Sequence, residues 1–379
     1  MGASVTGFFF DLGLVLSGEG VFASGVGAPT VEWRGDTQEY VMYFESPAAS
    51  DQVPEGCASS FVIGRATSPD GVAWTVDASP ALASAGSGAD PRSCSVAQPA
   101  ILFDGARWNL FYSASTQPFE EGAANTPSGI GWATSADGVA WTVEQEVLVP
   151  FTSASIGLPS AAALYGTIYL HYAEFPDVFQ TSRVIAGGDW TPPVRVLDHA
   201  EVGRWSTYWV HGPSLVCDED SDVPLSSLFG GDTEGTFVRS LGWATSVDGA
   251  AWATADESPL SGGTLDATQL NHWDVLRSGA GHALWYSRTD EATGKKAIGV
   301  AISDVRLGEP APRACPNPWF PPDDTGAADT GADSGAGAEG GEDSADEGPP
   351  VGCGCASIPP AVSPFGVLLA GAWMARRRR

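Results

Sequence analysis

The sequence has few basic residues. Its 379 residues include 18 Lys and Arg against 46 Asp and Glu, so the formal net charge is −28 at pH 7. A surface of this sign repels the phosphate backbone of nucleic acids, and no basic stripe offsets it. The charge therefore argues against nucleic acid as a partner.

Methionine is also scarce, with 3 residues, whereas the chain has 47 Gly, 28 Pro and 14 Trp. Gly and Pro disfavour long helices, so this composition favours turns and aromatic packing. It is typical of an exported all-β protein.

One stretch of eleven residues occurs three times. The three copies are ATSPDGVAWTV at 66–76, ATSADGVAWTV at 133–143 and ATSVDGAAWAT at 244–254. Alignment on the apolar-Gly pair before each copy adds two weaker units, one at Ile298-Gly299 and one with Val184 in the opening position and Trp190 as its late Trp. A period of between 54 and 67 residues indicates an architecture of repeated structural units.

Each unit contains segments typical of four strands. A Pro-containing apolar segment comes first, an aromatic-rich alternating strand follows in several units, and the IGxATS strand and a short Trp-bearing strand complete it. Four short strands repeated five times predict an all-β fold, a five-bladed β-propeller with four antiparallel strands per blade over residues 14–307. The alternative is a pair of β-sandwiches, which requires no fivefold repeat.

The repeated stretch itself is interpreted as a turn. Pro69, Asp70 and Gly71 suit a type I turn closed by a residue of positive φ, which Gly adopts without steric cost. The other copies keep the Asp-Gly pair. We expect a structural joint, with the late Trp of each copy on the outermost strand, where it covers the gap between blades: Trp74, Trp141 and Trp252. The alternative is that the Asp binds calcium or a sugar.

The motifs IGRATSPDGVAWTV and IGWATSADGVAWTV, with the X-Pro-apolar inner strands, resemble the five-bladed propellers of the glycoside hydrolase family 43 and family 32 superfamily, which includes arabinanases and invertase-like enzymes. The resemblance implies three carboxylates on inner strands around a central funnel, of which one protonates the leaving oxygen and another activates water. The positions that match them are occupied by Ala28, Ala100, Leu158 and His211. This favours a protein that is not an enzyme.

A divergent glycoside hydrolase is the alternative, and it would take its carboxylates from loops. The candidate acids are Asp90, Glu174, Asp177 and Asp266.

The funnel side is predicted to be polar and aromatic. Aromatic faces with amide and imidazole groups suit stacking on a sugar ring and hydrogen bonding of its hydroxyls. The candidate ligand-binding residues are Gln98, Trp205, Tyr208, Trp209, His211, Asn271, His272 and Trp273. The alternative for each residue alone is a place in the core.

No cofactor is predicted. His211 and His272 without a matched carboxylate make a weak metal site. The segment CDEDSDV at 217–223 lacks the central Gly and the distal Glu of an EF-hand loop, so it is interpreted as a solvated loop, with a structural calcium as the alternative.

Four cysteines lie in or just beyond the predicted propeller. Outside the cell they would pair, with three possible connectivities. Inner strands of a propeller run away from the funnel face, which places Cys57 and Cys94 together on that face and Cys217 with Cys315 on the opposite one. We therefore predict disulfides Cys57–Cys94 and Cys217–Cys315.

The composition changes beyond the propeller. Residues 308–350 are Pro-rich and then acidic, with nine acids and no base between Asp323 and Glu347, and they predict a disordered linker. Residues 351–379 hold a GCGC motif, an apolar segment predicted as a short helix, and a terminal RRRR.

This order of features resembles the myxobacterial MYXO-CTERM sorting signal. The resemblance implies that a membrane protease processes the tail near Gly352, Cys353, Gly354 and Cys355 and that the protein stays at the cell surface or outer membrane. The alternative is a plain C-terminal membrane anchor.

The first 33 residues contain no Lys or Arg, so no ordinary signal peptide is visible. For residues 1–13 two hypotheses stay open. The natural start lies upstream of Met1, or GFFFDLG supplies the outer strand that closes the fifth blade.

The sequence thus predicts an exported, surface-displayed, monomeric propeller that binds glycans or an envelope or extracellular protein without catalysis. A divergent glycoside hydrolase and a structural cell-envelope protein are the alternatives.

Overall fold

A computed structural model of the protein describes residues 9–86, 92–116, 129–150, 156–203, 205–218, 221–233, 239–254, 265–278, 281–303 and 313–315. All of them belong to the first of two units of the chain, Met1–Thr325. The linker beyond residue 315 and the tail at 351–379 lie outside the described residues. Within the described part, no helix is long and apolar enough to cross a membrane.

The described chain is almost entirely β-structure. Two 3-10 turns span Gly20–Phe22 and Ala267–Gln269. The strands are, in chain order, β1 (Phe10–Ser17), β2 (Gly27–Arg34), β3 (Glu39–Pro47), β4 (Phe61–Ser68), β5 (Thr75–Val76), β6 (Ser95–Phe103), β7 (Trp108–Ser115), β8 (Gly129–Ser135), β9 (Thr142–Val149), β10 (Ile156–Leu164), β11 (Thr167–Glu174), β12 (Asp177–Val184), β13 (Val194–Leu197), β14 (Trp209–Cys217), β15 (Leu225–Asp232), β16 (Arg239–Ser246), β17 (Ala253–Thr254), β18 (His272–Ser278), β19 (Gly281–Thr289), β20 (Lys296–Ile302) and β21 (Ala314–Cys315).

The strands form five sheets, each built on four antiparallel strands, which confirms the predicted five-bladed propeller. Blades one to four are β2–β5, β6–β9, β10–β13 and β14–β17, each counted from the inner strand outward. Blade five contains β18, β19 and β20, with β1 as its outer strand. Blade five is therefore completed by a strand from the N-terminal end of the propeller, which pairs with the outer edge of β20.

The repeated Asp-Gly motif forms the joints between blades. In blade one, Ser68 Oγ accepts the N–H of Gly71, which has φ +73°, and Asp70 Oδ1 accepts the N–H groups of Val72 and Ala73. These bonds keep the pKa of Asp70 below its ordinary value. The turns at Asp137 and Asp248 repeat the pattern. The Asp therefore caps its own backbone, as the structural interpretation predicts.

Each turn is also bonded to the preceding blade. The carbonyl oxygen of Gly71 accepts from Trp285 of blade five, that of Gly138 from Tyr43 of blade one, and that of Asp248 from Tyr169 of blade three. The late Trp residues lie just before the outer strands and pack on the same neighbouring blades: Trp74 on Trp285, Trp141 on Tyr43 and Trp252 on His171. The motif therefore joins blades, as predicted.

The predicted alignment of the third unit is wrong by six residues at its start. In the other blades, the motif's Gly faces an aromatic residue on the second strand, as Gly131 faces Tyr112. In blade three the residue that faces Tyr172 is Phe179, so Val178 and not Val184 occupies the opening position. Trp190 nevertheless packs 5.6 Å from Phe111 of blade two, as a late Trp does.

Two disulfides fix the loops at the two ends of the propeller. Cys57 is bonded to Cys94 and Cys217 to Cys315. This is the pairing predicted from the strand directions. The second bond holds β21, which the sequence placed in the linker, against the propeller.

Candidate functional site

The inner strands of blades one to four begin with a bulge. The residue before each inner-strand Pro has positive φ: Ala28 (42°), Gln98 (49°), Leu158 (55°) and Gly212 (56°). At each of these positions the register to the second strand shifts. A positive φ costs a non-Gly residue about 1–2 kcal/mol. The strain recurs at the funnel end of the inner strands, which is where a functional site would be placed.

In three blades the residue after the inner-strand Pro is hydrogen-bonded to the next inner strand. Thr30 Oγ1, Ser160 Oγ and Ser214 Oγ accept the N–H groups of Ile101 (3.1 Å), Leu215 (2.8 Å) and Val275 (2.9 Å). In blade five, which lacks the Pro, Asp274 Oδ2 accepts the N–H of Val31 at 2.6 Å. Ala100 holds the corresponding position in blade two. These positions therefore carry structural bonds around the channel.

Arg313 closes the channel below this ring. Strand β21 pairs in parallel with β10, and Ala163 donates its N–H to the carbonyl of Arg313. The guanidinium donates to the carbonyl oxygens of Val31, Leu215 and Val275, and to the Asp274 carboxylate. One side chain thus contacts the inner strands of blades one, four and five.

A second carboxylate, Glu32, lies beside Arg313. Its Oε1 accepts the N–H groups of Trp33 and Arg313, and its side chain is wholly buried. Burial raises the pKa of Glu32 to about 7, although the Arg313 charge acts in the opposite direction. Asp274 and Arg313 are 4% and 2% exposed. Asp274 is thus paired with Arg313, burial disfavours the charged form of Glu32, and neither carboxyl group is accessible to a substrate.

Aromatic side chains form a continuous row at the funnel end of blades three to five. We call Phe175, Tyr208, Trp209, His211 and Trp273 the aromatic row. Phe175 lies 5.5 Å from Tyr208 and 5.8 Å from Trp209, and His211 lies 4.4 Å from Trp209 and 5.7 Å from Trp273, measured between ring centroids. The row runs from Phe175, which is 37% exposed, to the buried His211 and Trp273.

The buried end of the row is held by a carboxylate. His211 Nε2 lies 3.4 Å from Asp232 Oδ2, and both residues are buried. Asp232 also accepts the N–H groups of Thr207 and Tyr208 through its carbonyl oxygen. Asp232 therefore positions both ends of the segment that carries Tyr208, Trp209 and His211.

A polar group lies across the funnel end on blades one and two. Gln98 Oε1 accepts from Ser113 Oγ (2.7 Å) and from the N–H of Leu158 (3.0 Å). Glu45 Oε2 accepts the N–H of Gln98 at 3.2 Å, and its Oε1 lies 3.7 Å from Lys296 Nζ. Gln98 and Glu45 thus connect blades one, two, three and five, and the Glu45 carboxylate faces a base.

The structure brings some of the predicted ligand residues together. Tyr208, Trp209, His211 and Trp273 share the aromatic row. Trp205 packs on Phe229 at 5.5 Å within blade four. Asn271 donates its N–H to the carbonyl of Ser287, and His272 pairs with the same residue. The binding roles of these residues stay predictions.

The four candidate acids are in different surroundings. Asp90 lies outside the described residues. Glu174 ends β11, directly before Phe175 of the aromatic row, and is half-buried. Asp266 caps the 3-10 turn by accepting from Thr268, which lowers the pKa of its carboxyl.

Asp177 belongs to an ion-pair cluster. Asp177, Asp198 and His199 present ligand atoms within 4.8 Å of one another, a spacing that a metal ion could bridge. However, Arg195 Nη1 lies 3.2 Å from Asp177 and 2.9 Å from Asp198. Arg195 therefore already supplies the positive charge that the two carboxylates need. In the segment 217–223, interpreted from the sequence as a solvated loop with a structural calcium as the alternative, Asp218 is paired with Arg277.

Sequence reasoning missed Phe175, Asp232, Glu45 and Arg313. A signal existed for Phe175, because EFPD places an aromatic residue in a Pro-containing turn at the funnel end. For the other three the contacts join residues far apart in the chain, and no motif marks them.

No protein-family model and no curated protein matches the chain. Solved structures do match it. A glycosyl hydrolase from Bacteroides ovatus has a TM-score of 0.57 and 15% identity, covering 81% of this chain and 97% of that one. A β-1,2-mannobiose phosphorylase from Listeria innocua, in complex with β-1,2-mannobiose, has a TM-score of 0.58 and 11% identity, covering 79% of this chain and 96% of that one.

A family 117 glycoside hydrolase from Zobellia galactanivorans has a TM-score of 0.53 and 16% identity, covering 78% of this chain and 90% of that one. At these identities the likeness concerns the fold alone. The described chain therefore has the fold of the five-bladed glycoside hydrolase-like and phosphorylase-like propellers.

Proposed function

We propose that the protein binds a glycan at the funnel end of the propeller without cleaving it. The observation that carries the proposal is the aromatic row, in which Phe175, Tyr208 and Trp209 offer ring faces at the funnel end, and the polar group of Gln98 lies across that end. Ring faces suit the apolar faces of a sugar, and amide groups bond its hydroxyls. The phosphorylase of the same fold, whose complex contains β-1,2-mannobiose, supports a glycan as the ligand class.

The chemistry of the inner strands supports binding without cleavage. Hydrolysis needs two carboxyl groups facing one glycosidic bond. The pre-Pro positions hold Ala28, Gln98, Leu158 and Gly212, and Glu45, Asp232 and Asp274 face bases or backbone donors. An exported location, with tail processing near Cys353 and Cys355, completes the proposal and makes glycans of the envelope or surroundings accessible. An envelope or extracellular protein is the other partner class.

The test is a glycan array and a chromogenic glycoside panel with the full chain. Trp209→Ala is expected to weaken glycan binding at least about tenfold, or ~1.4 kcal/mol. The matched control is Tyr165→Ala, because Tyr165 is 45% exposed in the β10–β11 hairpin at the opposite end of the propeller. Equal glycan binding by the two variants would show that the aromatic row is not the binding site.

One observation favours a divergent glycoside hydrolase as the second candidate. Glu174 lies next to Phe175, so a carboxylate stands beside the row. Release of the chromophore by the full chain, lost in Glu174→Gln and kept in Asp266→Asn, would establish this alternative. If neither glycan binding nor hydrolysis is detected, a structural role in the cell envelope is the remaining candidate function.

The surface location is tested separately on cells that produce the protein. Protease added outside the cells is expected to digest it, and the mature chain is expected to lack the residues after the GCGC motif. Cys353→Ser and Cys355→Ser should leave a longer product by mass spectrometry. A cytoplasmic, unprocessed chain would contradict this part of the proposal.

A further inference from the structure

A cleft lies on the outer side of the propeller between blades two and three. Its volume is about 440 Å³, within the ~300–1,000 Å³ of small-molecule sites. Blade two contributes residues of β8 and β9, and blade three contributes the end of β12 and the following loop. The residues that matter for the argument are Trp132, Glu144, Gln145, Arg183, Asp189 and Trp190. None of them belongs to the aromatic row.

The cleft lies at a joint that lacks the Asp-Gly motif. At the joints entering blades one, two and four, the turn lies against the preceding blade and a carbonyl of the turn is hydrogen-bonded to it. Blade three has instead Gly187 and Gly188, both with positive φ. Trp190 still packs on Phe111 and on Trp132, at 5.6 and 5.8 Å. The joint therefore keeps its aromatic packing, and the space beside it stays open.

Arg183 is fixed at the wall of this cleft. Its guanidinium carbon lies 4.8 Å from the centroid of the Trp132 ring, and its Nε donates to the carbonyl of Gly188 at 2.7 Å. Its Nη1 is buried beside the cleft and has no hydrogen-bond partner among the described residues. A guanidinium that is held in place with donors to spare is pre-organised to bond a ligand oxygen.

The rim supplies acceptors and a second kind of donor. Glu144, Gln145 and Asp189 are exposed, and one oxygen of Glu144 already accepts from Thr134 Oγ1. Two carboxylates next to one guanidinium disfavour an anionic ligand. Hydroxyl groups both donate and accept, so they match carboxylates, an amide and a guanidinium together.

We propose that this cleft binds a neutral glycan, with sugar hydroxyls bonded by Arg183 and the rim and a sugar face against Trp190. The inference goes beyond the proposed function, because it adds a second site that does not depend on the aromatic row. Two glycan sites at different places on one propeller allow one molecule to bridge two glycan chains and to bind a glycan-coated surface with avidity.

The test is isothermal titration of the full, oxidised chain with cellotetraose, laminaritetraose and mannotetraose, and with tetragalacturonate as the acidic comparison. We expect two sites for a neutral probe. Arg183→Met should weaken one of them at least tenfold, and Trp209→Ala should weaken the other. Arg107→Met is the matched control, since Arg107 lies 5.6 Å from the same Trp132 ring and does not line the cleft.

Each outcome supports or contradicts the binding of a neutral glycan in the cleft. If one site is measured, and Trp209→Ala removes it but Arg183→Met leaves it unchanged, the proposed cleft site is wrong and the proposed funnel site stands. If Arg183→Met removes that single site and Trp209→Ala leaves it unchanged, the proposed cleft site stands and the proposed funnel site is wrong. A cleft that binds only tetragalacturonate overturns the neutral ligand class, and no binding of any probe overturns both. If Arg183→Met lowers the Tm, the exposed double variant Glu144→Gln with Gln145→Ala replaces it, and the same loss is expected.

Discussion

Trp285 of blade five donates a hydrogen bond of 3.0 Å from its indole Nε1 to the carbonyl oxygen of Gly71 in blade one. This bond lies where the two ends of the propeller meet. A Cβ atom on Gly71 would lie 3.1 Å from Cζ2 of Trp285. The same turn therefore combines a positive φ with a close contact across the joint.

Gly71→Ala is expected to lower the free energy of unfolding by more than Gly56→Ala. Both glycines have positive φ, +73° and +86°, so both variants carry a backbone cost of about 1–2 kcal/mol. A Cβ at Gly56 has no neighbour within 4 Å, whereas that at Gly71 pushes on Trp285. Urea unfolding measures the difference. Equal losses would mean that the joint contributes nothing at this position.

Arg313→Met is expected to destabilise the propeller by about 3–5 kcal/mol, because it leaves the buried Asp274 carboxylate without its base. The control is Arg34→Met. Arg34 is paired with Asp36 at 2.6 Å on the surface, where the loss should be below about 1 kcal/mol. Urea unfolding of both variants tests this. A loss for Arg313→Met as small as that of the control would contradict the central role of Arg313.

Glu32 should make stability fall as pH rises. Its folded pKa of about 7 lies above the ordinary 4.5, so between these values the folded protein holds a proton that the unfolded chain has released. Relative to Glu32→Gln, the wild-type protein should lose up to about 1.4 kcal/mol per pH unit in this window. Asp36→Asn is the control, since the pKa of Asp36 is lowered and its effect lies at more acid pH. If the free energy of unfolding of the wild type and of Glu32→Gln changed with pH in the same way, the raised pKa of Glu32 would be contradicted.

The disulfides predict a defined peptide map. Under non-reducing conditions, proteolysis should release the pairs Cys57–Cys94 and Cys217–Cys315. The second bond closes a loop with a sequence separation of 98 residues, and its loss in Cys315→Ser should cost about 2–4 kcal/mol, together with the fixed position of Arg313. Recovery of Cys217 linked to any other cysteine would contradict the position of β21.

The sequence predicted the features that repeat. Blade number, the role of the Asp-Gly turn and the disulfide pairing follow from motifs such as the one at Asp70 and Gly71, because each copy forms the same local bonds and the strand directions then follow. Blade three shows the limit. Its motif is replaced by Gly187 and Gly188, and the alignment placed its start at Val184 instead of Val178.

The site was less predictable because its contacts are not local. Tyr208 and Trp209 were found as aromatic residues near an inner strand, but Phe175 reaches them from the neighbouring blade and Asp232 from the next strand. Arg313 lies beyond the last repeat, in a segment whose composition is typical of a linker. Only three-dimensional proximity shows that it occupies the channel.

The most direct test of binding without cleavage is to saturate the full chain with a glycan that it binds and to analyse that glycan by mass spectrometry after prolonged incubation. The account predicts that the glycan is recovered intact and that Trp209→Ala retains at least tenfold less of it. Recovery of shortened products, abolished by Glu174→Gln, would contradict the account.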